Sequence, residues 1–369
     1  MKILIGFIMD GYAGGVDKYL LTFAEAVQSN EVQIDFLTNR KSQELEKQLE
    51  KKNSKLYEVA DLKHPFLQYK QIMKILKKNK YDMTYFNIST AISIIGPFAA
   101  YQSNIKKRAI HSHSSGNDCE CFWKRKILDG LHNIGKLFLY KFGNEYYGCS
   151  VAAGNWLFPK RIVESDKFTI VYNAVDLKKF GFNKLVRQQL RKEFSIENCL
   201  VIGHVGNFTY SKNYVFLLRV FKELVKMDSS ARLILIGDGA KCVQIKELVK
   251  KMNIEEKVNF LGWRSDISKL YQMMDIFALP SHFEGLPIVG VEAQATGLKC
   301  LFSNKITDEV KLTKEARFLP ISNLSVKDWV NCIENEKNYS REGNLNLDSW
   351  LEYDLEKQQK KYIAIIEKV

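Results

Sequence analysis

The sequence predicts an α/β protein of two parallel, doubly wound sheets, each an open Rossmann-like domain. Three observations carry that expectation. The chain has 369 residues, too many for one ordinary hydrophobic core. Short apolar runs alternate with longer segments whose apolar residues recur at helical spacing, the order that builds parallel sheets. The alternation also runs as two sets, residues 1–180 and 181–349, with a last helix over 350–369.

Residues 2–9 (KILIGFIM) form the first strand, and the Gly-rich loop 10–15 (DGYAGG) opens a helix that runs to about residue 28. Gly14 and Gly15 let backbone approach a ligand closely at that helix start, although the pair serves equally as a plain turn. The spacing is not the dinucleotide fingerprint G-x-G-x-x-G, so no NAD site is read there. A strand at 32–37, a charged helix at 42–52, a helix at 66–78 and strands at 83–87 and 108–112 follow. The last of these ends in IHSHSSGND, which puts His111 and His113 at a strand C-terminal end, where ligands of such sheets gather. His111, His113, Cys119 and Cys121 admit a zinc reading, but the spacings His-x-His and Cys-x-Cys are tighter than a structural finger prefers.

Residues 123–142 place Ile127, Leu128, Leu131, Ile134, Leu137, Phe138 and Phe142 at helical spacing, beside Lys124, Arg125, Lys126, Lys136 and Lys141. Gly130 and Gly135 suggest packing contacts and favour a core stripe; the other reading is a basic amphipathic helix on anionic lipid. Strands at 145–150 and 168–172 complete this half.

The second half opens with a strand at 201–205, the loop 206–213 (GNFTYSKN) and a helix at 214–226. A strand at 233–236, the turn 237–239 (GDG) and a helix at 241–252 come next, then the segment 258–266 (VNFLGWRSD), after which 267–274 leads into the next strand. Residues 275–279 are a buried strand ending at Pro280. Gly285 and Pro287 turn the chain into a helix over 287–295, Pro287 suiting its first position and Gly297 its stop. Glu284 therefore lies in the strand-to-helix loop and Glu292 inside the helix. Backbone N–H groups near Gly285, Leu286 and Ile288 offer a place for a phosphate. After residues 299–303, helices at 326–336 and 350–369 close the chain.

Composition excludes several classes. With 46% hydrophobic and 26% charged residues the chain is globular rather than disordered. The most apolar stretch, 88–100, is broken by Ser89, Ser93, Gly96 and Pro97, so no bilayer-spanning segment is expected. The N-terminus reads as a strand, not a signal peptide, and seven scattered cysteines fit a reducing cytoplasm. The net charge is +13, and residues 1–182 hold 27 basic and 18 acidic side chains, so the excess is concentrated in the first half. No nucleic-acid-binding motif accompanies it. An anionic membrane surface is the other partner such a surplus suits, and a plainly solvated, Lys-rich surface accounts for it equally.

Glu284 and Glu292 stand seven residues apart, within Pro280-Ser281, Glu-Gly-Leu-Pro at 284–287 and Glu-Ala-x-Ala-x-Gly at 292–297. This block resembles the E-x7-E signature of the family 4 retaining glycosyltransferases, and the chain is similar to those of capsule and exopolysaccharide biosynthesis. Without that resemblance, Glu284 would be a glutamate favouring the helix dipole and Glu292 a solvated one. The resemblance implies the GT-B fold: two Rossmann-like domains facing across a cleft, with the C-terminal helix crossing back to the first. The run NAVDLKKF at 173–180 resembles the family's Asn-Gly-Val-Asp-x-x-x-Phe, with Ala174 in place of Gly, and marks the passage between domains.

What the resemblance implies for the site follows residue by residue. Gly14 and Gly15 match the loop near the donor phosphates and the acceptor. His113 best matches the histidine beside the donor sugar, with His111 the fallback, and both are acceptor-side candidates. The family's Gly-Arg and Lys that clamp the diphosphate become Gly206-Asn207 and Lys212 here, so one cation is missing. Arg264 lies in the loop set against the base. Glu284 would hold the donor sugar and stabilise positive charge at its anomeric carbon, and Glu292 would hold the ribose hydroxyls. Gly285, Leu286, Pro287 and Ile288 would receive phosphate. Glu284, His113 and Lys212 are thus the implied catalytic groups.

The implied reaction is retaining transfer of a sugar, from a UDP-linked donor that is substrate rather than cofactor, to a lipid-linked glycan. It needs no metal, and it is placed in the cytoplasm, peripherally on the inner face of the cell membrane. A GT-B nucleotide-sugar epimerase and a non-catalytic nucleotide-sugar-binding subunit are the alternatives, the second encouraged by Asn207.

Overall fold

The computed structural model describes residues 1–9, 14–29, 31–341 and 350–367, so residues 10–13 of the first Gly-rich loop lie outside the described residues. The chain divides into two compact units, Met1–Ala174 with Glu356–Val369, and Val175–Leu355.

The first unit runs β1 (Lys2–Gly6), α1 (Gly15–Val27), β2 (Gln33–Thr38), α2 (Gln43–Glu50), β3 (Leu56–Glu58), α3 (Pro65–Asn79), β4 (Met83–Ile88), α4 (Ile95–Gln102), β5 (Lys107–Ser112), α5 (Phe122–Leu139), β6 (Glu145–Gly148), α6 (Val151–Leu157), α7 (Lys160–Val163) and β7 (Phe168–Ile170). Its seven strands are all parallel, in the order β3-β2-β1-β4-β5-β6-β7. Helices cover both faces, which is why β4, MTYFNI, is buried at every position. Alternate residues feed two cores. Ile3, Ile5, Tyr85 and Ala109 join Phe23 of α1 on one face. Leu4, Phe86 and Ile110 join Ile72 of α3 and Leu139 of α5 on the other.

The second unit runs α8 (Lys184–Glu193), β8 (Val201–Val205), α9 (Tyr214–Met227), β9 (Arg232–Ile236), α10 (Cys242–Lys251), β10 (Val258–Gly262), α11 (Ile267–Met273), β11 (Ile276–Leu279), α12 (Ile288–Ala295), β12 (Lys299–Ser303), β13 (Ala316–Leu319) and α13 (Val326–Glu336). Its six strands are again parallel, in the order β10-β9-β8-β11-β12-β13. The final helix α14 (Leu355–Glu367) belongs to the first unit, where Tyr362 and Ile365 enter the α1 core and the Tyr362 ring lies 5.4 Å from that of Tyr19. This helix begins later than the sequence implies, because Leu351–Tyr353 forms a 3-10 turn and Val175 N–H bonds the Tyr353 carbonyl at 2.8 Å.

Helix α8 has no apolar signature and was not anticipated; two arginines anchor it instead. Arg191 donates to Asp275 at 3.1 Å and to the Met273 carbonyl at 2.9 Å, and Arg187 donates to the Met274 carbonyl at 2.7 Å and pairs with Asp275. Asp275 also accepts from the Val201 N–H at 2.8 Å, tying α8 to the head of β8.

The core reading of the apolar stripe at 123–142 is overturned. Helix α5 buries His132 and Leu139 but leaves Ile127, Leu131, Ile134, Leu137 and Phe138 46–65% exposed. Gly135 does pack closely, since a Cβ there would lie 2.4 Å from the Ala91 carbonyl oxygen, but it sits on the flank of the helix between the stripe and the buried His132 and Leu139. A Cβ on Gly130 would meet nothing within 4 Å, so that glycine marks no contact at all.

Candidate functional site

In the second sheet the strand order reverses between β8 and β11, and parallel strands bring every C-terminal loop to one edge. An open α/β sheet forms its ligand crevice at such a reversal. The loop after β8 carries Lys212, and the loop after β11 carries Ser281 and Glu284. Lys212 Nζ lies 2.7 Å from Glu284 Oε1, with both side chains only 14% exposed. Ser281 Oγ donates to the same carboxylate oxygen at 2.7 Å. The two loops are stitched together around that pair. His282 N–H donates to the Ser211 carbonyl at 2.7 Å, Asn213 Nδ2 donates to the Pro280 carbonyl at 3.1 Å, and the Tyr210 and His282 rings stack with centroids 4.5 Å apart.

The turn after β9 closes onto this loop pair. Gly237 has φ +137°, and a Cβ on it would fall 2.1 Å from the Gly206 carbonyl oxygen, so only glycine fits. Phe208 N–H bonds the Asp238 carbonyl at 2.9 Å, which fixes the turn containing Asn207. The position carrying the family's arginine is therefore held in place but brings no charge. Arg264 lies at the same edge after β10 and forms a bidentate pair with Asp266 at 2.7 and 2.8 Å.

Helix α12 starts at Ile288, with Pro287 in the capping position rather than the first helical one. It has neither a side-chain cap nor an acidic residue in its first turn, so the positive end of its dipole is unneutralised by its own side chains. Gly285, Leu286 and Ile288 lead directly into that end. At the far end Gly297 adopts φ +75° and stops the helix as the sequence predicts. Glu292 is only 4% exposed, which removes the reading of a solvated glutamate. Tyr271 on α11 donates to Glu292 Oε2 at 3.2 Å. Burial, reinforced by the Glu292 charge, pushes the Tyr271 phenol well above its ordinary pKa, so it stays a donor. In the sequence Ser281 stands out only as part of the Pro280-Ser281 run, and Tyr271 not at all: nothing in local sequence marks a residue whose partner is 21 positions away.

The first unit holds a second cluster. His111, at the end of β5, is fully buried, and its Nδ1 lies 2.7 Å from the Tyr85 hydroxyl, which in turn lies 2.6 Å from that of Tyr19. His113 is half-buried, with Nε2 2.7 Å from Asn87 Oδ1, and the two imidazole rings are 4.0 Å apart. The Asn87 oxygen accepts, so His113 Nε2 carries the proton and Nδ1 keeps its lone pair, with no partner among the described residues. Burial lowers His111 well below the ordinary histidine range, with His113 adding to the shift, and lowers His113 to about 3. At the head of α1, Gly14 takes the capping position and Gly15 the first helical one, and a Cβ on either would meet nothing within 4 Å. Asp17 holds the exit of β1 by accepting from the Met9 N–H at 3.1 and 3.2 Å. Among the described residues no group of three or more His, Cys, Asp or Glu is placed to hold a metal, so the zinc reading of His111, His113, Cys119 and Cys121 gains no support.

The neutral histidines predict an acid-sensitive fold. His204, also fully buried and bonded through Nδ1 to the Ala278 carbonyl at 2.8 Å, is lowered to about 3 by burial. A histidine whose folded pKa lies below its unfolded value, about 6.5, contributes stability that is present above that value and lost as pH falls toward the folded one. Each such group adds a slope of about 1.4 kcal/mol per pH unit between those limits. Urea midpoints measured from pH 7 down to 4.5 should fall steeply, and less steeply in His204→Asn. An unchanged slope in that variant would refute the assignment.

Comparison with known proteins gives a consistent set of likenesses. The model of the group 1 glycosyl transferases matches residues 186–334, and a glycosyl transferase 4-like model matches residues 13–130. The putative glycosyltransferase EpsF of Bacillus subtilis is 28% identical over 302 residues, covering 80% of this chain and 78% of that protein. An Escherichia coli UDP-Gal:alpha-D-GlcNAc-diphosphoundecaprenol alpha-1,3-galactosyltransferase is 27% identical over 239 residues, covering 63% of this chain and 60% of its own. Among solved structures, Anabaena HepE in complex with UDP-glucose superimposes with a TM-score of 0.78 at 18% identity, over 100% of both chains. WaaG, a glycosyltransferase involved in lipopolysaccharide biosynthesis, gives 0.70 at 14% identity over 99% of both.

Proposed function

We propose that this chain, a GT-B glycosyltransferase similar to those of capsule and exopolysaccharide synthesis, moves a sugar from a UDP-linked donor to a lipid-linked glycan with retention of anomeric configuration. The observation that carries the reading is the Lys212–Glu284 pair at the sheet reversal, beside the uncapped start of α12. A departing nucleoside diphosphate accumulates negative charge. Preorganised donors aimed at that charge lower the barrier most. Lys212 and the N–H groups of Gly285, Leu286 and Ile288 are such donors, and they act without a metal or cofactor. Glu284 holds the donor sugar and faces the positive charge that grows at the anomeric carbon as the bond to the diphosphate breaks. Glu292 receives the ribose hydroxyls, with Tyr271 steadying one carboxylate oxygen. Arg264 borders the base. His113, its Nδ1 buried in this structure, is the histidine that the resemblance sets beside the donor sugar. No covalent enzyme intermediate is required.

UDP is favoured because the E. coli relative is named for a UDP-linked donor and HepE was solved with UDP-glucose. The lipid-linked acceptor follows the diphosphoundecaprenol in that relative's name. Such an acceptor places the enzyme in the cytoplasm, peripherally on the inner face of an anionic membrane. Among the described residues no helix is long and apolar enough to cross one.

The test begins with thermal unfolding across a panel of nucleotide sugars, where the true donor raises the melting temperature by mass action. That donor is then incubated with polyprenyl-diphosphate glycans in the presence of EDTA, and the anomeric configuration of the product is read by NMR. Transfer with the donor's configuration kept is the expected result. An inverted product removes the retaining mechanism, and isomerisation of donor alone makes the chain an epimerase. Donor binding without turnover makes it a binding subunit, the outcome that Asn207 favours.

A further inference from the structure

We infer that α5 is the surface by which this protein lies on a membrane, seated flat on anionic headgroups with its apolar stripe in the acyl boundary. The inference rests on the lipid-linked acceptor proposed above and names the element that brings the enzyme to it. Of the 21 large hydrophobic side chains exposed among the described residues, seven belong to this one helix. Five of them, Trp123, Ile127, Leu131, Ile134 and Phe138, follow one another at steps of three and four residues, a continuous line along one side of the helix. The opposite side is already used: His132 accepts from the Ala91 N–H at 3.1 Å, and Leu139 enters the core. The helix is thus apolar on two sides, one serving the fold and one facing outward. A patch this concentrated on a soluble face marks an interaction site.

The charges around the stripe decide what covers it. Lys124 and Lys126 flank its first turn, and Lys141 follows its last. Lys126 Nζ sits 5.6 Å from the Phe122 ring centroid and Lys141 Nζ 5.3 Å from that of Phe138, so cations and aromatic rings share the two ends of the helix. Asp129, the one acidic residue in α5, is half-buried and accepts from Asn117 Nδ2 at 3.4 Å, away from the stripe. Asp118 and Glu120 precede the helix. Over the same face of the sheet, α3 exposes Lys70, Lys74, Lys77 and Lys78. An apolar line with cationic rims is complementary to a layer of acyl chains under anionic headgroups. A second copy of the chain would instead set one basic rim beside another. Eighteen helical residues span about 27 Å, enough to lie along the surface as an extended contact.

The test uses the whole protein in a flotation assay with vesicles of phosphatidylcholine alone or with about a third phosphatidylglycerol, at low and high salt. Wild type should float with the anionic vesicles at least tenfold better than with neutral ones, and lose that preference at high salt. Ile127→Glu with Ile134→Glu should abolish flotation. Lys124→Gln, Lys126→Gln and Lys141→Gln together should weaken it on the order of a hundredfold. All these positions are exposed, so folding should be unaffected, and an unchanged UDP-dependent thermal shift in each variant confirms that. Vesicle binding by the glutamate variant equal to wild type overturns the inference while leaving the transferase reading intact. So does a dimer, seen by light scattering, that the glutamate pair dissociates and vesicles do not. Loss of the UDP shift in the wild type would instead remove the transferase reading and leave the vesicle result to stand.

Discussion

Glu284→Gln should bind its nucleotide donor as wild type does and transfer sugar about a hundredfold more slowly. The amide matches the carboxylate in shape, and its oxygen still accepts from Ser281 Oγ, now 2.7 Å away, so the loop after β11 keeps its course. What disappears is the negative charge. In the ground state that charge faces Lys212 at 2.7 Å. In the proposed transfer, the anomeric carbon becomes positive and the diphosphate negative as the bond between them lengthens, so the glutamate would gain a partner in the transition state that it lacks before. Removing an interaction made chiefly in the transition state lowers kcat and kcat/KM together and leaves KM nearly unchanged. Steady-state rates with a fixed acceptor, beside UDP titrations followed by thermal unfolding, separate the outcomes. An unchanged kcat would reduce Glu284 to a structural counter-ion for Lys212. A lost UDP shift would make it a binding residue.

How much of this was legible in the sequence depended on whether a feature was local. The strands of both sheets could be read because a strand buried on two faces is a short apolar run, as in β4 and β11. The block around Glu284 could be read because Pro287 and Gly297 punctuate a helix within a few residues of the glutamates. The β3 and β13 strands, of three and four residues, were too short to give a pattern. Helix α8 was invisible because arginines bonded to Asp275 hold it, and periodicity reports only apolar contacts. The misreading of α5 has a different cause. A helix apolar on two sides shows the same spacing as one with a broad core face, and only the burial of His132 and Leu139 tells which side is inside. The pairing of Lys212 with Glu284 across 72 positions required the reversal of strand order between β8 and β11, a property of topology that no segment carries alone.

Lys212→Met is expected to cost more than the loss at Glu284, because it touches both binding and chemistry. The lysine stem lies across Gly206, where a Cβ would come within 2.9 Å of Lys212 Cε, and methionine preserves most of that packing. The ammonium is what goes. In the loop after β8 the family's arginine position is Asn207, so this ammonium is the only formal positive charge among residues 206–213. Its removal leaves the diphosphate to the N–H groups at the start of α12, and leaves the Glu284 carboxylate bonded to Ser281 but without its cation. UDP should then raise the melting temperature little or not at all, and kcat/KM should fall by about 10²- to 10³-fold. Lys212→Arg should recover only part, since a planar guanidinium cannot occupy the place of a compact ammonium 2.7 Å from the carboxylate without displacing it. The complementary change, Asn207→Arg on the Lys212→Met background, should restore UDP binding by returning a cation to the turn that Gly237 and Asp238 hold in place. Wild-type UDP binding in Lys212→Met would show that the diphosphate is gripped elsewhere, and the assignment of this loop to the donor would fail.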